Sequence, residues 1–272
     1  MDYAVQHYEN FPVASILLPR HLRHPVQVIY AFARQADDIA DEGDDSASVR
    51  LAKLQQFRAE INHIERGETS DLALFRDLAV VIHAHQLPIQ YFRDLLDAFS
   101  QDVVKTRYEN FGEVMDYCRR SANPVGRLML HLYRQTDARQ LALSDGICSA
   151  LQLINFLQDI AIDYRKGRIY LPQDELAKYN INEQQLARAE PSPIWWPFMQ
   201  FQIERTRKLL QAGAPLGKQL KGRIGLELRL ITMGGDRILQ KLHNTQGNIF
   251  QKRPALKPTD WIYMFYRAVR AK

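Results

Sequence analysis

Apolar residues recur at intervals of three and four along almost the whole chain, and that period admits one broad kind of fold. The pattern runs through HPVQVIYAFARQADDIADE, VRLAKLQQFRAEINHIE, LALFRDLAVVIHAHQ, IQYFRDLLDAFSQDVV, FGEVMDYCRRSANPVGRLMLHLYRQ, LALSDGICSALQLINFLQDIAIDYR and FMQFQIERTRKLLQAGA, with a further helix around RIGLELRLITMGGDRILQKL. Such a period predicts helices, and strand-like alternation is nearly absent. Breaks are expected at Pro25, Gly43, Gly67, Pro88, 110–112, Pro172 and 191–197, where helix breakers sit. The expected architecture is an all-α bundle with its site between facing helices. With 46% hydrophobic residues in 272, the chain can fill a sizeable core, and no linker or repeat divides it. One domain spanning 1–272 is therefore expected.

Composition narrows the partners. The formal charge of +5 and a pI near 9.1 suit nucleic acid, an anionic lipid or a phosphorylated substrate alike, and by themselves decide little. Lys and Arg are spread along the chain without a dense tract, so no nucleic-acid partner is expected. Cys118 and Cys148 lack any metal-ligand spacing, which argues against a disulfide framework or a zinc site and favours a reducing cytoplasm. The start MDYAVQHYENFPVAS lacks the features of a signal peptide, and no run of about 18 apolar residues occurs, so nothing is expected to span a membrane.

Two acidic clusters interrupt this helical pattern: Asp37, Asp38 and Asp41, then Asp159 and Asp163. Asp37 with Asp41, and Asp159 with Asp163, are i, i+4 pairs that stand one above the other on a helix face. Two such patches facing each other across a bundle would hold divalent ions. Mg²⁺ favours carboxylates combined with a substrate's phosphate oxygens, so the substrate class suggested is a diphosphate. On the first helix, Tyr30, Arg34, Asp37 or Asp38, and Asp41 form one stripe; the competing account is a solvated acidic helix end. On the second, Gln152, Asn155, Asp159 and Asp163 share a face while the other positions are mostly apolar, so the helix should be buried nearly all round. Buried carboxylates need compensating charge, from metal or, on a purely structural account, from arginines.

These residues carry a resemblance. HYENFPVASILLPRHLRHPVQVIYAFARQADDIAD, YCRRSANPVG and NFLQDIAIDYRKGRIYLP resemble the three signature regions of the squalene and phytoene synthase family, from about residue 7 to 175 and more weakly beyond. The resemblance implies an isoprenoid synthase type helical bundle with a central active-site cavity, and Mg²⁺ held by Asp37, Asp38, Asp41, Asp159 and Asp163. It makes Tyr30 and Arg34 contacts to substrate and diphosphate, and puts Arg168 and Tyr170 of GRIYLP near the diphosphate. It assigns Phe11 to the cavity lining, Val125 and Gly126 to a helix break that admits prenyl chains, and Gln152 and Asn155 to polar positions beside the second metal patch.

The family's usual second motif is NxxRDxxED, whereas here Gln158 replaces the arginine and Ile162 the glutamate. A bidentate arginine clamps phosphate strongly. Its loss should matter most to an enzyme that binds two allylic diphosphates, less to one receiving a condensed intermediate. The QDIAID form and the opening HYENFPVAS resemble the family's water-capturing branch in the bacterial hopanoid pathway. That resemblance implies ionisation of presqualene diphosphate, rearrangement of the cation and capture by water to give hydroxysqualene, without nicotinamide. It also implies hand-over from an enzyme that makes presqualene diphosphate, and a C30 substrate implies peripheral contact with a membrane. Phe11, Tyr30, Phe32 and Phe156 are candidates by type to wall the cation, and Gln158 or Asn155 to hold the water. Two further readings stay open: condensation of two farnesyl diphosphates to presqualene diphosphate, squalene or dehydrosqualene, and a non-catalytic scaffold. For Trp195, Trp196, Phe198 and Phe201 the alternatives are core packing at a helix start and insertion into a lipid surface. Roles for Arg119, Arg120 and Arg127 are open between holding diphosphate and forming a solvated face.

Overall fold

The computed structural model describes residues 18–188, 192–250 and 253–270. Among them are thirteen α-helices and no strand; an isolated bridge joins Arg107 to Ile169. The all-α expectation holds. The residues cluster into two compact units, the first comprising residues up to 105 with 119–141, the second comprising 106–118 with 142–272.

The first unit holds α1 (Arg20–Asp41), α2 (Ala47–Glu65), α3 (Ala73–His85), α4 (Ile89–Val104) and α6 (Asn123–Leu132). Along α1 the buried residues Leu22, Pro25, Ile29, Phe32, Ala36 and Ala40 step by three or four, so they fall in one stripe. Phe32 is completely buried, with ring centroids 5.4 Å from Phe92, 6.0 Å from Phe57 and 6.1 Å from Phe75. This aromatic cluster centres the unit's core, and removing a ring so placed costs about 3–5 kcal/mol. It also places Phe32 in the core and not in the cation wall expected of it, since the ring is completely buried among other rings. Pro25 does not break the helix as expected. Its ring is buried in the core stripe, and that packing outweighs the missing hydrogen bond.

The second unit contains most of α7 (Ala138–Arg165) together with α8 (Gln173–Lys178), α9 (Glu183–Arg188), α10 (Trp195–Gly213), α11 (Leu216–Gln219), α12 (Gly222–Asn244) and α13 (Pro258–Arg270). As its composition predicts, α7 is buried on nearly every side from Ser144 to Ile160. It meets α10 at almost backbone distance: a β-carbon on Gly213 would lie 2.6 Å from the Leu143 carbonyl oxygen. Only glycine allows that approach. Cys118 and Cys148 are both buried, and burial pushes the Cys118 thiol up to about 12, which makes it inert.

The helix expected over FGEVMDYCRRSANPVGRLMLHLYRQ is two helices, α5 (Phe111–Ser121) and α6, divided at Ala122. Pro124 sits near the start of α6, where its absent N–H is no loss. The break therefore precedes Val125 and Gly126, which lie inside α6.

Candidate active site

The first acidic patch ends α1. Tyr30, Arg34, Asp37, Asp38 and Asp41 are all half-buried and lie on a helix side separate from the core stripe. Arg34 reaches Asp37 Oδ2 at 3.3 Å, Asp38 Oδ1 at 2.6 Å and Glu42 Oε1 at 2.8 Å. A cation thus sits among three acids whose side chains keep 40%, 39% and 61% of their surface exposed, an arrangement that a solvated helix end also shows. Arg50, from α2, fixes the helix end: its guanidinium donates to the carbonyls of Ile39 (3.1 Å), Ala40 (2.7 Å) and Gly43 (2.7 Å). Those carbonyls would otherwise lack partners at a helix terminus. Nothing in the spacing of the sequence singled out Arg50.

The second patch is built differently. Asp159 is largely buried on α7, and both its oxygens accept from Arg253, at 2.5 Å from Nε and 3.0 Å from Nη2. The same Nη2 lies 3.4 Å from Asn155 Oδ1. The Asp159 carboxylate, opposed by partial burial, raises the Arg253 guanidinium, and Asp163 adds to the effect. Next to Asp159, Gln158 is buried, its Nε2 donating to the Pro254 carbonyl at 2.6 Å, while its Oε1 has no partner among the described residues. Residues 253 and 254 are therefore strapped along α7 by three α7 side chains.

Asp163 stands at the helix end, and GRIYLP folds back beside it for a local reason. Gly167 adopts φ +78°, and the N–H of Arg168 bonds the Asp163 carbonyl at 2.8 Å, a glycine-terminated helix cap. Ile169 then pairs with 106–107 through its N–H to the Thr106 carbonyl at 2.9 Å. Arg107 holds the turn, donating to the Gly167 carbonyl at 2.6 Å while forking on Glu183. The result is a small crevice lined by Phe156, Ile160, Asp163, Arg168 and Tyr170. Tyr170 stacks flat on Phe156, centroids 3.9 Å apart at 5°, with Tyr108 stacked beyond it at 5.5 Å. The Phe156 face that a cation would need on this side is covered by Tyr170, so Phe156 stiffens the wall here.

Other expectations sort readily. Phe11 lies outside the described residues. Gln152 is half-buried on α7. Trp195 is core, its Nε1 donating to the Gly247 carbonyl at 2.8 Å, and Trp196 packs edge-on against His243. Arg120 donates to Gln101, and Arg127 lies 5.7 Å from the Tyr91 ring centre. Among the described residues no three His, Cys, Asp or Glu side chains converge into a protein-only metal cage. What the two helices do offer is hard oxygen in pairs, the donor type that suits Mg²⁺ completed by water and phosphate oxygens. The residues fit that group.

The chain belongs to the squalene/phytoene synthase family, which matches residues 4–260, and it is an enzyme of that family. It is 38% identical to the hydroxysqualene synthase of Rhodopseudomonas palustris, across 97% of this chain and 89% of that protein. It is 37% identical to the hydroxysqualene synthase of Zymomonas mobilis, across 82% of this chain and 75% of that one. Among solved structures, a squalene synthase from Alicyclobacillus acidocaldarius superposes with a TM-score of 0.82 at 33% identity, covering 88% of this chain and 90% of the other. A dehydrosqualene synthase, 20% identical, shares the fold with a TM-score of 0.82, covering 94% of this chain and 88% of its own. The isoprenoid synthase fold expected from the sequence is the one found.

Proposed function

We propose that this enzyme converts presqualene diphosphate and water to hydroxysqualene and diphosphate, using Mg²⁺ held by Asp37, Asp38, Asp41, Asp159 and Asp163. The observation that carries the reading is the likeness, over most of the chain, to relatives named hydroxysqualene synthase. Bound Mg²⁺ would supply Lewis-acid neutralisation of the leaving diphosphate.

The chain's own groups do the rest. Arg34, already poised between acids, and Arg168 and Arg253 supply forked donors suited to diphosphate oxygens. The stacked Phe156–Tyr170 pair stiffens an apolar wall that keeps bulk water from the cation, so that only a held water reaches it. Gln158 suits that holding role: its amide nitrogen is fixed by Pro254, and its buried Oε1 is an acceptor with capacity for a water proton. Water oxygen bonds to the carbocation and loses one proton to the departed diphosphate, so the alcohol and the protonated diphosphate account for all atoms. Supply of presqualene diphosphate falls to an enzyme that condenses two farnesyl diphosphates, and the product suits hopanoid biosynthesis.

One observation favours the condensing reading. Gln158 leaves the second motif without its arginine, yet Arg253 restores a guanidinium to Asp159 from elsewhere in the chain. Purified enzyme with Mg²⁺ and no reduced nicotinamide, given presqualene diphosphate or farnesyl diphosphate separately, distinguishes the two. Hydroxysqualene from presqualene diphosphate alone is the expected result. Presqualene diphosphate or a C30 hydrocarbon from farnesyl diphosphate would replace the proposal with condensation.

A further inference from the structure

The sequence pattern singled out no role for the segment that follows Arg253, yet it carries the most unusual surface of the described chain. α13 buries only Asp260, Met264 and Ala268. Trp261, Ile262, Phe265, Tyr266 and Val269 are all exposed, Ile262 at 73%. Their spacing of i, i+1, i+4, i+5 and i+8 makes a second apolar stripe along the helix, turned away from the buried one. An apolar stripe of this size on an exposed helix marks an interaction surface.

Charge identifies the occupant. Arg267 and Arg270 are exposed on the same helix, lying against Tyr263 and Tyr266. The helix's one acid, Asp260, is buried and already committed to Arg237 at 2.7 Å and Lys241 at 2.5 Å. A second copy docked through this face would bring the two Arg270 guanidiniums at its edge toward each other with no acid from either helix to meet them. An anionic lipid surface meets them directly, while Trp, Tyr, Phe and Ile enter the boundary between headgroups and acyl chains. No described helix is long and apolar enough to cross a membrane.

We propose that α13 docks the enzyme on anionic lipid, lying in the plane of the surface with Trp261, Ile262, Phe265, Tyr266 and Val269 inserted and Arg267 and Arg270 at the headgroups. Residues 253–257 link this helix to α7, where Arg253 grips Asp159, so the lipid contact sits a few residues along the chain from the acidic patch. A long-chain prenyl substrate would be met where it is dissolved. The proposal does not depend on which reaction the enzyme runs, and its test reads binding, not turnover.

The test is co-sedimentation of the full chain with phosphatidylcholine vesicles, with and without phosphatidylglycerol. The intact protein is expected to pellet with the anionic vesicles and to be released by salt. The double variant Ile262→Asn/Phe265→Ser, both positions exposed, should lower partitioning by about tenfold or more. Arg267→Gln/Arg270→Gln should abolish the preference for phosphatidylglycerol. Because the double variant could loosen the helix, quenching of intact protein by brominated lipid gives a separate readout, expected to diminish in Trp261→Phe. Equal pelleting of Ile262→Asn/Phe265→Ser and intact protein, or quenching unchanged in Trp261→Phe, would overturn the proposal. So would failure of the intact protein to bind either vesicle, or a dimer in lipid-free sedimentation that Ile262→Asn/Phe265→Ser dissolves, which would assign the face to a second copy.

Discussion

The two acidic patches look alike as strings of letters and are held in opposite ways. At the end of α1 the compensating cation is Arg34, on the same helix and three or four residues from the acids it meets. At Asp159 it is Arg253, 94 residues away in sequence. A local pair survives as long as its helix does. The remote pair exists only while residues 253–257 stay docked, so the second patch depends on whatever secures that segment. Asp260 secures it, accepting from the Lys257 N–H at 2.7 Å as well as from Lys241 and Arg237.

The largest effects should come from the acids themselves, where the two patches are expected to behave alike. Asp37→Asn and Asp159→Asn keep size and hydrogen bonding but remove a charge, and each should lower kcat/KM by about 10²–10³-fold. Titration with Mn²⁺, followed by electron paramagnetic resonance, should show weakened binding in both. A variant that loses turnover while binding Mn²⁺ normally would remove that carboxylate from the set of metal ligands.

The patches should part company at their arginines. Arg34→Ala is expected to cost about 10²-fold in kcat/KM, with little change in stability because its acids are half-exposed. Arg253→Ala should cost about tenfold but tighten Mn²⁺ binding in the absence of substrate, since the fork on Asp159 competes with a metal ion for the same oxygens. Arg253→Lys should restore charge without the two-pronged geometry and recover only part of the rate. If Arg253→Ala leaves Mn²⁺ affinity unchanged, the carboxylate does not exchange one cation for the other, and the contrast between the patches is only one of chain distance.

The same contrast explains what was legible in the sequence. The stripe from Tyr30 to Asp41 was readable because an i, i+4 rule places its members and its cation on one helix. The GRIYLP segment was marked only by the resemblance, with a break expected at Pro172, whereas the turn falls at Gly167, whose φ of +78° few other residues adopt. Arg50 and Arg253 were invisible, since no period links a loop or α2 arginine to carbonyls or carboxylates in other elements. Removal of the arginine at position 158 read as a lost charge, when tertiary structure had returned one. Phe32 and Phe156 were correctly apolar, but residue type does not say whether a ring faces a cavity or another ring. α13 escaped because WIYMFYRAV has one apolar stripe that is buried and another that is exposed, and residue spacing does not say which of them faces the core.

A smaller effect tests the anchor of the remote pair. Burial would raise the Asp260 carboxyl, but the bonds from Lys241, the Lys257 N–H and Arg237 outweigh it and hold the carboxyl well below the usual carboxylate range. A depressed folded-state value means that the stabilisation is complete above the ordinary aspartate value and is lost as pH falls through it toward the folded one. Thermal stability should therefore decline below about pH 4, and less steeply in Asp260→Asn. At neutral pH, Asp260→Asn should cost about 1.5–3 kcal/mol, the range for hydrogen bonds to charged groups. It should also weaken the dependence of turnover on Arg253, because the segment carrying that residue loses its hold. Equal melting curves for the two proteins across acid pH would place the anchor elsewhere.

The smallest energetic effect, and the sharpest on product, belongs to Gln158. Gln158→Leu keeps the volume, deletes the bond to the Pro254 carbonyl and removes the buried Oε1. The strap loses one of its three side chains, worth about 1 kcal/mol, and Arg253 should still reach Asp159. If Oε1 positions the nucleophilic water, the variant should consume presqualene diphosphate at a rate within about tenfold of the parent while hydroxysqualene gives way to alkenes from proton loss. Gas chromatography of the products separates this from a purely structural role, which would slow all products in proportion. An unchanged alcohol yield would leave Gln158 as a strap for residues 253 and 254 and direct the search for the water's partner to Asn155, one turn along the same helix.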